Sequence, residues 1–144
     1  MRVEAQIYEM IGQHPRLPKL IHWDRETCCL TMEHLENGNL KEHVLQNHQI
    51  ITPQLRPQWS RQAAEALAVL RSFEAIDCDL SPRNFLLDSQ FNLKIADFGG
   101  ASLRSSDPSA IPATRFLRPE YDWNARPVFA DDIFSLGSLI YFEK

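Results

Sequence analysis

The sequence predicts a mostly helical α+β domain whose strands are confined to two small hairpins. Two segments place apolar residues at helical spacing, a third is apolar nearly all round, and two pairs of short apolar runs flank turn sequences. The chain has 144 residues, with 44% hydrophobic and 24% charged side chains, which is an ordinary globular composition. This composition excludes disorder, collagen and coiled coil, and the length suffices for one hydrophobic core.

The first predicted element is a helix from Glu4 to Ile11, which ends before Gly12. Two strands follow, over Leu20–Trp23 and Cys28–Glu33, and residues 24–27 form the turn between them. The pattern therefore predicts a hairpin directly after the first helix.

Two helices are predicted in the middle of the chain. Asn39 is placed to cap a short helix, and Glu42 three residues later completes a capping-box pattern. A longer helix begins near Pro57, because proline is tolerated in the first helical turn. Its continuous apolar face predicts a core helix and consists of Trp59, Ala63, Ala66, Leu67 and Leu70.

The second hairpin joins strands over Phe85–Leu87 and Leu93–Ala96. Residues 98–118 contain Ser, Pro and Gly without any period, which predicts a long functional loop. The segment from Asp132 to Phe142 is apolar nearly all the way round, as in a helix that is buried on every side. Because the chain stops at Lys144, we expect a partner or a further part of a larger protein to cover this helix.

Charge and cysteine content exclude several classes of protein. Lys and Arg number 15 against 19 for Asp and Glu, a formal charge of −4, which argues against non-specific nucleic-acid binding. The three cysteines form no C-x-x-C pair, and the five histidines show no metal-ligand spacing, so neither a disulfide scaffold nor a zinc site is expected. No apolar run approaches 18 residues, so no membrane span is expected. We expect an intracellular, cytoplasmic protein.

Polar residues follow two of the apolar elements and are candidates for chemistry. Asp79 and Asn84 lie between the long helix and the strand at Phe85, and Asp97 follows the next strand directly. If these strands pair, Asn84 and Asp97 converge and offer the hard oxygen ligands that suit Mg²⁺. Asp79 on the same edge could orient a hydroxyl nucleophile and accept its proton. The alternative is a simple turn in which Asp79 and Asn84 bond to local backbone groups.

Together these segments resemble the catalytic core of a eukaryotic-type protein kinase. Residues 77–84 (Asp-Cys-Asp-Leu-Ser-Pro-Arg-Asn) resemble the His-Arg-Asp-Leu-x-x-x-Asn catalytic loop, and residues 97–99 match Asp-Phe-Gly in full. Residues 118–120 (Arg-Pro-Glu) resemble Ala-Pro-Glu, which makes the intervening loop an activation segment. Residues 132–137 resemble the start of the buried central helix of the large lobe. The resemblance covers the chain from about Glu4 onward.

The resemblance implies transfer of a phosphoryl group from ATP, with Mg²⁺, to a hydroxyl of a protein substrate. It makes Asp79, Asn84 and Asp97 catalytic, with Asn84 and Asp97 as metal ligands. Adenine would contact backbone groups of Glu33 and Leu35, with Leu86 packed beneath it. Residues 1–35 would be a remnant of the small lobe and hinge, and residues 36–144 a partial large lobe.

The chain also departs from the family pattern. The glycine-rich loop and the strand with Val-Ala-Ile-Lys are absent from the sequence, so Glu4, which resembles the glutamate of the small-lobe helix, lacks its lysine partner. Asp77 replaces the histidine of the catalytic loop, and we expect it to be solvated because burial disfavours a carboxylate. Cys78 replaces the arginine that would bind an activation-loop phosphate. These departures predict impaired catalysis, and the choice between Ser/Thr and Tyr substrates stays open.

Two other functions are consistent with parts of this pattern. The chain could be a catalytically inactive truncated kinase or pseudokinase that serves as a protein-binding module, or a gene remnant. It could also be a small-molecule phosphotransferase with a kinase-like fold, which shares the Asp-x-x-x-x-Asn loop. Residues 118–120 and 132–137 argue against this last function, because both motifs belong to the large lobe of protein kinases.

Overall fold

The computed structural model describes residues 3–47, 49–104 and 128–143. In these ranges the helices are α1 (Val3–Ile11), α2 (Leu40–Asn47), α3 (Leu55–Ser72) and α4 (Phe129–Glu143), with a short 3₁₀ turn at Pro82–Asn84. The strands are β1 (Leu20–Asp24), β2 (Cys29–Met32), β3 (Ala75–Ile76), β4 (Phe85–Leu87), β5 (Leu93–Ile95) and β6 (Ser102–Leu103).

Both predicted hairpins are present as antiparallel pairs. Strands β1 and β2 pair with Trp23 opposite Leu30, and strands β4 and β5 pair with Leu86 opposite Lys94. The predicted caps also form. Gly12, at a φ of +71°, donates its N–H to the Tyr8 carbonyl at 3.0 Å, which ends α1.

The sequence pattern missed the pairing of β3 with β6. Ala75 lies opposite Leu103, and Ile76 opposite Ser102. The segment 98–118, which was predicted as loop, therefore contains a two-residue strand at Ser102–Leu103. Two residues are too few to show a period, and the pairing joins positions that are 26 or more residues apart, so no local pattern reports it.

The long helix α3 forms the centre of the core and holds the second hairpin. Trp59 is fully buried, and its Nε1 donates to the Phe91 carbonyl at 2.8 Å. The Gln62 side chain accepts the Leu93 N–H at 2.9 Å and donates to Asn92 Oδ1 at 2.8 Å. These bonds place the hairpin rigidly beside α3, so the residues that follow each strand have defined positions.

Helix α4 differs from the expectation that it would be buried on every side. One face, which includes Asp132, Ser135 and Leu139, is buried within the described part of the chain. On the other face Tyr141 is 72% exposed and Ile133 is 49% exposed. Of the helices that the structure describes, none has both the length and the apolar run that a bilayer crossing would require.

Candidate active site

Asp79 and Asn84 both lie in the loop that connects β3 to β4, and Asn84 is its last residue. The Asn84 amide Nδ2 donates to the Asp79 carbonyl at 2.8 Å and lies 3.4 Å from the Asp79 carboxylate Oδ2. The 3₁₀ turn that begins at Pro82 brings Asn84 back toward Asp79. The alternative interpretation of this loop was a turn with local hydrogen bonds, and such bonds are present between Asn84 and Asp79. They hold both side chains at one edge of the hairpin.

Asp97 joins this edge from the end of β5. The Ala96 N–H donates to the Asn84 carbonyl at 2.8 Å, so the residue before Asp97 is bonded directly to Asn84. Asp97 has a φ of +64°, a left-handed conformation, and its side chain is exposed. Burial raises the pKa of Asp79, and the negative charge of Asp97 raises it further. The three residues that the sequence singled out are thus brought together.

The donors at this edge fit a magnesium ion that is bound with phosphate. Because Nδ2 of Asn84 is engaged by Asp79, the oxygen of the same amide is the atom that could bind a metal ion. With the exposed Asp97 carboxylate it makes a small set of hard oxygens. In the described residues, no group of three or more His, Cys, Asp or Glu could hold a metal. A site with few protein ligands is the arrangement that Mg²⁺ adopts with phosphates.

The predicted adenine contacts lie along the segment that connects β2 to α2. The Leu87 N–H donates to the Gly38 carbonyl at 2.8 Å, and Asn39 forms an isolated bridge with Leu86. These bonds place Leu86 beside the segment that follows Glu33 and Leu35. Leu35 is buried, and Glu33 and Leu86 are half-buried.

Glu33 also has a side-chain role that the sequence did not reveal. Its Oε1 accepts the Lys94 Nζ at 2.7 Å and the Lys19 N–H at 2.9 Å. The ion pair with Lys94 lowers the pKa of Glu33, with the backbone bond from Lys19 adding to the effect. This pair ties the end of the first hairpin to the second. The sequence feature that could have indicated this ion pair is a lysine, Lys94, between the two apolar residues Leu93 and Ile95.

Helix α1 contacts the Asp-Phe-Gly segment through two residues. The Phe98 ring is fully buried and lies 5.1 Å from the Tyr8 ring between centroids. The Phe98 N–H donates to Glu4 Oε1 at 3.3 Å. Tyr8 is itself buried and therefore packs against this segment. Glu4 faces the start of the predicted activation segment.

The expectation that Asp77 is solvated was wrong, because its side chain is only 1% exposed. The cause lies in α4. Asp132 accepts the N–H groups of both Asp77 and Cys78, at 2.7 Å and 3.1 Å, and this draws the loop backbone inward. The sequence predicted only that residues 132–137 begin a buried helix, and it did not reveal this role of Asp132. The available signal was a carboxylate in the first turn of an otherwise apolar helix.

Several predicted motifs lie outside the described residues. These are the predicted activation segment from residue 105 onward and the Arg-Pro-Glu motif at 118–120.

Comparison with known proteins decides the family. A family model described as "Protein kinase domain" matches residues 1–142. The chain belongs to the protein kinase family. The predicted family and the α+β, protein-kinase-like fold class are both confirmed, and members of this family generally use ATP and Mg²⁺.

Plant kinases are among the similar proteins. The chain is 31% identical, over 96% of its length, to the probable serine/threonine-protein kinase PBL28 of Arabidopsis thaliana. It is 31% identical over 96% of its length to the probable serine/threonine-protein kinase CST of the same plant. It is 30% identical over 90% of its length to the EPD1-interacting receptor-like cytoplasmic serine/threonine-protein kinase of Nicotiana benthamiana. This kinase domain segment spans 40%, 35% and 31% of the lengths of these relatives, respectively.

Proposed function

We propose that this kinase domain segment binds Mg-ATP and supplies the catalytic edge for phosphoryl transfer to a protein hydroxyl. The observation that carries the proposal is the cluster of Asp79, Asn84 and Asp97 at one end of the second hairpin. The names of the relatives favour serine or threonine as the acceptor. Catalysis in this class depends on positioning and on charge neutralisation, and the cluster offers both.

In this proposal each residue of the cluster has one task. Asn84 and Asp97 hold magnesium, which neutralises charge on the phosphates when it is bound. Asp79 orients the acceptor hydroxyl and takes its proton. The raised pKa of Asp79 makes its carboxylate a stronger base than an exposed aspartate.

The nucleotide base lies, in the same proposal, between the segment after β2 and strand β4. Backbone groups of Glu33 and Leu35 bond the adenine edge, and Leu86 packs beneath the ring. The ion pair between Glu33 and Lys94 supports this placement, since it holds the start of the segment against β5. Residues 1–35 then act as small lobe and hinge, and residues 36–144 as part of the large lobe.

We expect the 144 residues by themselves to bind ATP weakly and to transfer phosphate poorly. Their sequence holds neither a glycine-rich phosphate loop nor the lysine that pairs with Glu4 in the family pattern. The β- and γ-phosphates would be held mainly by magnesium. Because positioning supplies most of the rate in this reaction class, the loss of these groups lowers the rate strongly.

The test is ATP binding by calorimetry with and without Mg²⁺, on the wild-type chain and on Asp97→Asn. Asparagine keeps the shape of the side chain and tolerates the positive φ at this position. We expect binding that requires Mg²⁺ and that weakens by at least about tenfold in Asp97→Asn, since one charged ligand is worth about 1.4 kcal/mol or more. The matched control is Glu9→Gln, which removes one charge from an exposed site on α1 and should change nothing.

Absence of Mg²⁺-dependent binding at millimolar ATP would contradict the proposal and favour the second function, a protein-binding module. A specific feature supports that alternative. Helices α3 and α4 border an open groove of about 520 Å³ with an apolar lining that includes Leu67, Phe129 and Leu136. Such a groove suits a protein partner that covers the apolar end of the domain.

A further inference from the structure

Asp77 is the first residue of the loop that carries Asp79. Its backbone N–H donates to Asp132 Oδ2 at 2.7 Å, which fixes the main chain of Asp77 to helix α4. Its side chain turns back into the loop, and Oδ1 accepts the Asp79 N–H at 3.0 Å. One residue therefore links the central helix to the backbone of the proposed catalytic aspartate.

The bond from Asp79 to Asp77 closes a turn over Cys78. Cys78 has a φ of +65°, a conformation that residues other than glycine rarely adopt. Such a conformation persists only where surrounding bonds determine it. Here the bonds are the Cys78 N–H to Asp132 Oδ1 at 3.1 Å and the Asp79 N–H to Asp77. An aspartate side chain that accepts the N–H two residues later is well suited to this turn.

The surroundings of the Asp77 carboxyl favour its neutral form. Burial raises its pKa well above the usual range, and the charge of Asp132 on α4 raises it further. Asp79 and Asp97 act in the same direction, and the Tyr8 hydroxyl faces it from α1. Asp77 Oδ2 is buried and makes no hydrogen bond to any described residue. Asparagine is the matched replacement for this side chain, because an amide has the shape of a carboxyl group and keeps an oxygen that can accept the Asp79 N–H.

We propose that Asp77 is a positioning residue for Asp79: its Oδ1 holds the Asp79 N–H, and so directs the Asp79 carboxylate to the edge shared with Asn84 and Asp97. The functional consequence rests on the proposed function, while the positioning itself does not. Asp77 does not contact substrate, and it acts only through the backbone of Asp79.

The experiment compares the wild-type chain with Asp77→Asn and Asp77→Leu by NMR. Asparagine retains an oxygen acceptor at the Oδ1 position, and leucine has a similar volume without any acceptor. The first measurement is hydrogen exchange of the Asp79 amide. We expect protection in the wild type and in Asp77→Asn, and exchange at least about tenfold faster in Asp77→Leu. The amides of α3, such as Leu70, report whether each variant is folded.

The second measurement is the carboxyl titration of Asp79, followed by ¹³C shifts. Its pKa is raised in the wild type because the side chain is partly buried near Asp97. We expect the raised pKa to persist in Asp77→Asn and to return toward the ordinary value in Asp77→Leu. A general loss of stability without repositioning would not move this value while the chain remains folded.

Equal protection of the Asp79 amide in wild type and a folded Asp77→Leu would overturn the proposal. If the leucine variant does not fold, hydrogen exchange of the wild-type chain still tests the proposal. An Asp79 amide that exchanges at the unprotected rate in the wild type would exclude its bond to Asp77. A chain that shows the expected exchange pattern but no Mg²⁺-dependent ATP binding would refute the proposed function and leave the positioning role intact. The two failures are therefore distinguishable.

Discussion

The two hairpins have the same simple topology but very different surroundings. In the β1–β2 hairpin the strands are at most half-buried, and Ile21 is 62% exposed. In the β4–β5 hairpin the first and last residue of each strand are buried, and Ile95 is fully buried. The buried hairpin also receives bonds from α3 and from the segment after β2.

This difference shows where the chain can hold a reactive group in place. A strand end that is fixed by core packing and by backbone bonds on two sides gives the next residue a defined position. Asn84 precedes β4 and Asp97 follows β5 closely, so both take their positions from the buried hairpin. The exposed hairpin instead leads into the segment proposed to bind adenine, and the ion pair between Glu33 and Lys94 joins the two.

The difference between the two hairpins predicts its largest effect on the free energy of unfolding, for a matched pair of substitutions in the core and at the surface. Ile95→Ala should lower the free energy of unfolding by about 2–5 kcal/mol, because it leaves a cavity in the core. Ile21→Ala should change it by less than about 1 kcal/mol, since that side chain remains mostly in water. Urea denaturation followed by circular dichroism measures both. Equal losses would mean that the two hairpins are equally important to the fold.

The reactivity of the cysteine thiols should also differ between the regions of the two hairpins. Cys28 and Cys29 are exposed within the first hairpin, whereas Cys78 is buried in the loop before the second. Burial, with the charge of Asp132 adding, raises the pKa of Cys78 to about 12. With Ellman's reagent at pH 8, two thiols should react at least about a hundredfold faster than the third, since the thiolate is the nucleophile.

The control for this assignment is the double variant Cys28→Ser/Cys29→Ser. It should show only the slow reaction, and denaturant should make that reaction fast. Three thiols that react at one rate in the native chain would place Cys78 outside the core.

Aspartates in the two regions should respond to pH in opposite directions. The pKa of Asp77 is raised by burial, so its contribution to stability is present at low pH and is lost as the pH rises through its folded-state pKa. Asp77→Asn should therefore gain stability relative to the wild type as the pH rises above about 4, the ordinary pKa of an aspartate.

The matched variant in the exposed hairpin is Asp24→Asn. A hydrogen bond from the Thr27 side chain, with backbone bonds from Glu26 and Thr27, lowers the pKa of Asp24. Its contribution is present at neutral pH and is lost in acid, so Asp24→Asn should be the less stable protein at neutral pH and should match the wild type in acid. Thermal unfolding of both variants between about pH 2 and pH 8 would measure the effect, because the ordinary pKa of an aspartate is about 4. Parallel pH profiles for the two variants would contradict this difference in environment.

The sequence alone determined the elements that depend on neighbours along the chain. The helix α1 and its glycine cap, the capping residue Asn39, the apolar face of α3 and both hairpins follow from periodicity and turn residues, which are local properties. The cluster of Asp79, Asn84 and Asp97 was also predictable, because a hairpin brings its two outer ends together by geometry.

Only the tertiary structure decided what depends on distant residues. The burial of Asp77 requires Asp132, 55 positions along the chain, and the bond that fixes Glu33 requires Lys94, 61 positions away. The pairing of β3 with β6 has the same origin. From local sequence alone, a carboxylate near the start of a loop is expected to be solvated. Its burial depends on a second element that packs over it and excludes water, which is a property of the tertiary structure.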